Sequence, residues 1–385
     1  MKIVVYEDKQ ELFYPLTNLL PQFGLRIGMK TIAEHMAALF KPMRIDFITR
    51  PLFGYKLVES EETTLYLSSR LLPSERFTIP RVDSLLKVGN VEVGFVKTSA
   101  PFPNSIDEIE DALAAIKGSK QVRGVVVNRL WDLIALNERM IDFHARLYRK
   151  KSSAVKTAYV CGKRRNLFIA KGAYIHKQVF LDATDGPIWI DDGAEIRPFT
   201  TIVGPSYIGP GTIVERAKIS RSSIGPECRI GGEVEACIFR GFSNKHHDGF
   251  IGHSYVGEWV NLGALTTNSD LKNNYGPVRI NLGNKEYDTG LMKLGCFIGD
   301  HTKLGIGTLI PTGAVIGSFV NFVGGGMTPK FVPDFRWLTL DKDEDYDLQK
   351  AMSTARTVMK RRNVRMSKQY EQVIRSFHGK IRRSN

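Results

Sequence analysis

Aliphatic side chains recur at every sixth position in two runs of the chain. Ile190, Ile196, Ile202 and Ile208 form the first, and Ile298, Leu304, Ile310, Ile316 and Phe322 form the second. Between these runs the spacing slips, but an aliphatic followed by glycine persists at Ile224-Gly225, Ile230-Gly231, Ile251-Gly252, Val256-Gly257 and Leu262-Gly263. An amphipathic helix would need a period of about 3.6 residues and would not accommodate so many glycines. A fixed short period marks a β-solenoid, whose coils stack on one another with small residues at the corners. The pattern predicts a parallel β-helix over residues 167–333. It fails twice, at residues 240–250 (RGFSNKHHDGF) and 266–291, both dense in polar side chains. Loops projecting from a rigid scaffold are where binding residues collect, so both are candidate site segments.

Residues 1–150 alternate strand-like runs (2–6, 64–67 and 124–128) with stretches of helical spacing (29–40 and 107–116). Alternation of this kind predicts an α/β layer domain. The opening Met1-Lys2-Ile3-Val4-Val5-Tyr6 turns acidic at Glu7-Asp8 and reads as a first strand rather than a secretory leader. Residues 151–166 begin polar and basic and are taken as a linker. After Pro333, residues 334–385 are expected to form basic helices at 346–365 and 367–381, the second opened by Ser367 as N-cap.

Charge changes the picture only locally. The net charge is +14, and residues 348–385 hold eleven Lys or Arg against Glu371 alone, so most of the excess belongs to this tail. No nucleic-acid recognition motif accompanies it, and nucleic acid is not among the expected partners. No apolar run reaches the roughly 20 residues of a membrane helix. Cys161, Cys228, Cys237 and Cys296 lack metal or disulfide spacing and suit a reducing cytosol, so a cytoplasmic protein without a tightly bound metal is expected.

The repeats resemble the hexapeptide acyltransferase superfamily, which implies a left-handed β-helix and a homotrimer. More specific text lies in Gly231-Gly232-Glu233-Val234-Glu235, residues 244–250 (NKHHDGF), Asn261-Leu262-Gly263-Ala264, residues 268–275 (NSDLKNNY) and Gly299-Asp300-His301-Thr302-Lys303. These segments resemble the sugar nucleotidyltransferases related to bifunctional N-acetylglucosamine-1-phosphate uridyltransferase/glucosamine-1-phosphate acetyltransferase. Residues 129–134 with Asn137, Pro15-Leu16-Thr17 and Leu25-Arg26-Ile27-Gly28 extend the resemblance upstream. It implies a nucleotidyltransferase-like α/β domain, the β-helix and a C-terminal helical arm.

Moving an acetyl group from a thioester to an amine needs a base for the amine proton, donors for the oxyanion and a surface for the cofactor phosphates. Histidine suits the first task because its unperturbed pKa lies near neutrality. In the acetyltransferase half of the bifunctional enzymes the catalytic His precedes the Asn of an Asn-aliphatic-Gly-Ala motif by fourteen residues. Counting back fourteen from Asn261 gives His247. The resemblance therefore implies His247 as general base, Asn261 as an orienting or sugar-binding group and Asp248 as a partner of His247. His253 reads as structural. Lys245, Asn268, Asp270, Lys272, Asn274 and Tyr275 are candidate substrate contacts, since ammonium and phenol groups suit phosphate oxygens. Asp300, His301, Lys303, Lys360, Arg361 and Arg362 are candidate cofactor contacts.

The amino-terminal domain departs from active nucleotidyltransferases. No G-x-G-T-R loop follows Val5, so the backbone cradle for a triphosphate is missing. Leu20-Pro21, Glu34-His35 and Ser68-Ser69-Arg70 stand where the related group shows Arg-Pro, Glu-Lys and Asn-Gly-Arg. Arg26, Lys30 and Arg70 remain as nucleotide-contact candidates in a shortened, degenerate domain. The expected function is acetyl- or acyl-CoA-dependent N-acyl transfer to an amino-sugar phosphate or nucleotide-linked amino sugar. The alternatives are sugar-1-phosphate nucleotidyl transfer, which would need Mg²⁺, and a non-catalytic trimeric scaffold.

Overall fold

The computed structural model describes residues 2–54, 62–148, 157–283 and 285–384. The first part of the expected linker, residues 151–156, lies outside them. The chain forms two compact units: Met1–Phe13, Leu19–Leu25 and Lys30–Asp132 in the first, and Tyr14–Asn18, Arg26–Met29 and Leu133–Asn385 in the second.

The first unit is built on a six-stranded sheet in the order Ile45–Ile48, Lys2–Tyr6, Thr64–Ser68, Val91–Lys97, Ser84–Val88, Ser119–Gln121. The first three strands are parallel, and Val91–Lys97 runs antiparallel to both of its neighbours. All five residues of Lys2–Tyr6 are buried: Ile3–Tyr6 as a continuous apolar run demands, and Lys2 with its ammonium on Asp46 at 2.8 Å. Helix α1 (Ile32–Phe40) starts later than position 29 because Thr31 closes a capping box with Glu34. Helix α2 (Ile106–Ala115) places Ile109 among Val4, Tyr66 and Phe95.

Helix α3 (Asp132–Leu147) has no counterpart in the sequence expectation. Its buried face includes Asn137 and His144, polar residues that interrupt the apolar spacing. Asn137 Oδ1 accepts from Gly28 N–H at 2.9 Å and Ser223 Oγ–H at 2.8 Å, while Ile141 and Ala145 pack with Trp189 and Tyr207.

The second unit is dominated by a left-handed parallel β-helix of about 10 turns. Its first strand, Tyr159–Gly162, already pairs in parallel with Phe180–Ala183, so the coils begin before Leu167. They run past Pro333 to Arg336–Leu338, which pairs in parallel with Asn321–Phe322. Inward positions stack in register: Ile175, Ile196, Val214, Ile230 and Lys245 follow one another up one column. Leu262, Leu304, Phe322 and Leu338 continue this face. Burying each aliphatic in such a column contributes about 1.5–3 kcal/mol.

The two breaks in the period turn out differently. Residues 240–250 do not project as a loop. They supply the coil strands Ile238–Gly241, Asn244–Lys245 and Phe250–Gly252, and the period is hidden because Ser243 and Lys245 take buried positions. The second break stays in the coil through Thr267–Asn268, which is in register with Leu309 and Ile310. The chain then leaves the coil, is pinned by a Leu271–Lys293 bridge, and forms an antiparallel hairpin of Arg279–Leu282 with Lys285–Asp288.

Helices α4 (Leu348–Lys360) and α5 (Lys368–Ser384) follow, capped by Asp347 and by Ser367, whose hydroxyl accepts from Tyr370 N–H at 3.1 Å. No helix of the described residues is long and apolar enough to cross a membrane.

Candidate active site

Immediately before the inward column lies an outward one, in which Arg229, Asn244, Asn261, Lys303 and Asn321 stand in register on successive coils. Hexapeptide stacking thus converts five separated polar residues into one ladder. Asn244 Nδ2 donates to Asn261 Oδ1 at 3.3 Å. Two residues earlier is a corner where Phe242, Trp259, His301, Phe319 and Phe335 all have φ between 53° and 61°. Side chains rarely adopt this left-handed backbone. Here the rings stack, at 4.4 Å for Phe242–Trp259 and 4.7 Å for both His301–Phe319 and Phe319–Phe335, which offsets part of the conformational cost.

The ladder forms one wall of a cleft of about 690 Å³, whose other wall is α4. His246, His247, Asn261, Ala264, Lys303 and Ile306 line it from the coils, and Thr354, Val358, Arg361 and Arg362 from the helical arm. His247 is exposed. Among the described residues neither of its ring nitrogens has a hydrogen-bond partner; the ring meets His246 edge-on at 5.1 Å. Lys303 Nζ donates to the carbonyls of Trp259 at 2.6 Å and His301 at 2.9 Å. Desolvation pushes its pKa down to about 7. Arg362 donates to Asn244 Oδ1 at 2.6 Å, while its Nε is buried without a partner. Arg229, Lys303, Arg361 and Arg362 give the cleft a cationic lining with donors to spare, which fits phosphate groups.

The structure therefore brings His247, Asn261, Lys303, Arg361 and Arg362 to one place and leaves the other expected residues elsewhere. Asp248 makes no hydrogen bond to His247 among the described residues; its charge acts on Lys245 instead. Lys245 is inside the coil at 1% exposure, with Nζ donating to the His247 carbonyl at 2.6 Å, so it cannot serve as a surface phosphate contact. Asn268 is buried and spends its amide on Gly252, accepting from its N–H at 2.7 Å and donating to its carbonyl at 3.0 Å. Asp270 is paired with His253 at 2.7 Å, which gives His253 the structural role expected of it. Lys272, Asn274 and Tyr275 lie in the excursion: Lys272 Nζ donates to Pro277 O, Asn274 accepts from Gly276 N–H, and Tyr275 is exposed.

Among the expected cofactor contacts, Asp300 and His301 are buried. Asp300 accepts from Arg240 at 2.8 Å, and His301 Nε2 meets the Tyr370 hydroxyl at 3.0 Å. Lys360 is exposed at the end of α4 and is not part of the cleft lining. The nucleotide candidates also have internal duties. Arg26 donates to the carbonyls of Met29 and Arg240, and Arg70 is paired with Asp8 at 2.7 Å. Lys30 is half-buried. Glu7, beside Asp8, is held by Arg50 at 3.0 Å. These acids are thus neutralised rather than left to hold Mg²⁺. Among the described residues no three His, Cys, Asp or Glu converge as metal ligands.

Arg229, Asn244, Trp259 and His246 were not singled out from the sequence. For Arg229 and Asn244 the signal is positional: like Asn261 and Lys303, each stands one residue before an inward side chain of the same column.

Residues 3–153 match the family model described as sugar nucleotidyl transferase. The match spans less than half of the chain. Further relatives carry an acetyltransferase or bifunctional name. The chain is 33% identical over 160 residues to the bifunctional sugar-1-phosphate nucleotidylyltransferase/acetyltransferase of Sulfurisphaera tokodaii, covering 38% of each protein. It is 27% identical over 220 residues to bifunctional protein GlmU of Methanocaldococcus jannaschii, covering 55% of this chain and 48% of that one. With GlmU of Methanococcus aeolicus it shares 27% identity over 247 residues, 61% of this chain and 53% of the relative. The chain thus spans about half or less of these relatives' length. Its sugar nucleotidyl transferase segment runs through α3, beyond the compact first unit.

Proposed function

We propose that the chain is an acyl-CoA-dependent N-acyltransferase acting on an amino-sugar phosphate or a nucleotide-linked amino sugar, working in the cytoplasm as a homotrimer. The observation that carries this reading is the gathering of His247, Asn261 and four cations around one cleft. A ring nitrogen of His247, lacking a protein partner, accepts the proton of the substrate amine. The amine nitrogen attacks the thioester carbonyl, the C–N bond forms, the C–S bond breaks, and the thiol leaves with a proton. Asn261 orients the sugar, and Arg229, Lys303, Arg361 and Arg362 hold phosphates of the two substrates. The acetyltransferase names of the relatives support the same chemistry.

The test is thiol release from acetyl-CoA with glucosamine-1-phosphate and a panel of other amino sugars. His247→Ala is expected to lower kcat by about 10²-fold or more, the usual worth of a general base. Turnover that survives this substitution would overturn the role of His247. A second reading, sugar-1-phosphate nucleotidyl transfer, is favoured by the family match of residues 3–153. It predicts pyrophosphate release from nucleoside triphosphates with Mg²⁺. The pairing of Arg70 with Asp8 and the missing glycine loop weigh against it.

A further inference from the structure

A lysine occupies the interior of the β-helix at a place where aliphatic residues stand on other coils. Lys245 is in register with Ile230, which is fully buried, and follows Asn244, the partner of Asn261 in the outward ladder. Its side chain turns toward the edge of the coil, where Nζ donates to the carbonyl of His247 at 2.6 Å. Gly232, on the preceding coil, makes room for that ammonium. A Cβ there would come within 2.8 Å of Nζ and 2.7 Å of the Gly249 carbonyl, and the backbone has φ +69°. Burying a lysine costs stability that a methionine of similar length would not. The cost is visible in a pKa pushed down to about 8 by desolvation, with Asp248 opposing the shift. No carboxylate holds the His247 ring among the described residues, so the one strong tether on this residue acts through its backbone.

We infer that Lys245 is a positioning residue, an internal strut that fixes the backbone of His247 and so aims its imidazole into the cleft. The inference rests on His247 being the base. It replaces the surface role expected for Lys245 and accounts for a lysine where the coil calls for an aliphatic. Reaction rates fall steeply when a catalytic group shifts by about 1 Å, so a tether two residues away has large leverage.

Two variants separate this strut from ordinary packing. Lys245→Met keeps the length and fills the interior without a charge. It is expected to raise Tm by a few degrees while lowering kcat about 10- to 100-fold. Because the charged lysine is what burial penalises, the gain in Tm should be larger at pH 7 than at pH 9. Asp248 is the charged group whose field acts on the lysine, so Asp248→Asn should widen the pH 7 gain. Lys245→Arg should restore part of kcat by donating to the same carbonyl. A lower Tm with a proportionate loss of kcat, or a normal kcat in Lys245→Met beside an inactive His247→Ala, would overturn the strut. An active His247→Ala would overturn the base instead. A readout independent of turnover is the ring signal of His247 in protein carrying ¹³C-labelled histidine, assigned with His247→Ala. One sharp signal should broaden or split in Lys245→Met, and an unchanged signal would sink the inference whatever the substrate proves to be.

Discussion

Lys303 shows how burial tunes a charge within the cleft. Its ammonium donates to two carbonyls, but desolvation lowers its pKa from 10.5 to about 7. The cleft therefore gains a cation as pH falls through 7. If it holds substrate phosphate, KM should rise as pH increases from 6 to 8, and Lys303→Met should flatten that profile. Asp334 presents the opposite sign. Desolvation raises its carboxyl from 3.8 to about 7, although it accepts from Ser318 N–H and Asn18 Nδ2, both at 2.6 Å. The folded protein holds a proton there that the unfolded chain releases near pH 4. The associated stability is fully present below about pH 4 and is lost as pH rises through about 7. Asp334→Asn should abolish that slope in urea melts taken between pH 4 and 8. Arg240 and Asp300, at 4% and 3% side-chain exposure, form a buried pair joined by Glu258 at 3.3 Å. Removing only the arginine leaves carboxylates without compensation, so Arg240→Ala should cost about 3–5 kcal/mol in the same melts.

Among the elements, α5 has the clearest dependence on what it covers. Its Tyr370 meets buried His301, and its Phe377 and His378 lie against Phe335 at the end of the stacked rings. Deleting residues 367–385 should uncover this corner, lower Tm and give binding of a hydrophobic dye. Tyr370→Phe alone should cost only about 1 kcal/mol. What the sequence revealed of these elements follows their physics. Coils announced themselves where inward positions were aliphatic, as at Ile298, Leu304 and Ile310. They went silent at Ser243 and Lys245, where polar residues face inward, so a regular coil read as a loop. Helix α3 was hidden for the same reason by Asn137 and His144. That His247 and Asn261 lie together was legible because the resemblance fixes their spacing, and both line the cleft. The contribution of α4 opposite them was only partly legible, since Arg361 and Arg362 sit in a basic run whose exposed and cleft-facing members look alike.

At the scale of the whole molecule, two compact units share one chain, and their chemistry divides unevenly. The first carries the six-stranded sheet and pairs Asp8 with Arg70. A nucleoside triphosphate, a sugar-1-phosphate and Mg²⁺ should therefore yield no pyrophosphate, measured beside a thiol-release assay on the same sample. The trimer proposed from the resemblance is checked by sedimentation, where the species should have three times the chain mass of 43.3 kDa.

The ladder of Arg229, Asn244, Asn261 and Lys303 has a consequence for how such a protein can change over generations. Each member comes from a different coil, and neighbouring coils lie about 4.8 Å apart. Duplication or loss of a complete coil before residue 229 would lengthen or shorten the stack and leave the cleft intact, whereas one between residue 303 and α4 would carry the helical wall away from the ladder. A single-residue insertion within a coil between ladder members would rotate every later member out of line. Tolerance to gain and loss of sequence should therefore come in whole turns, and a library of random insertions would reveal it as a repeating pattern of survival and failure.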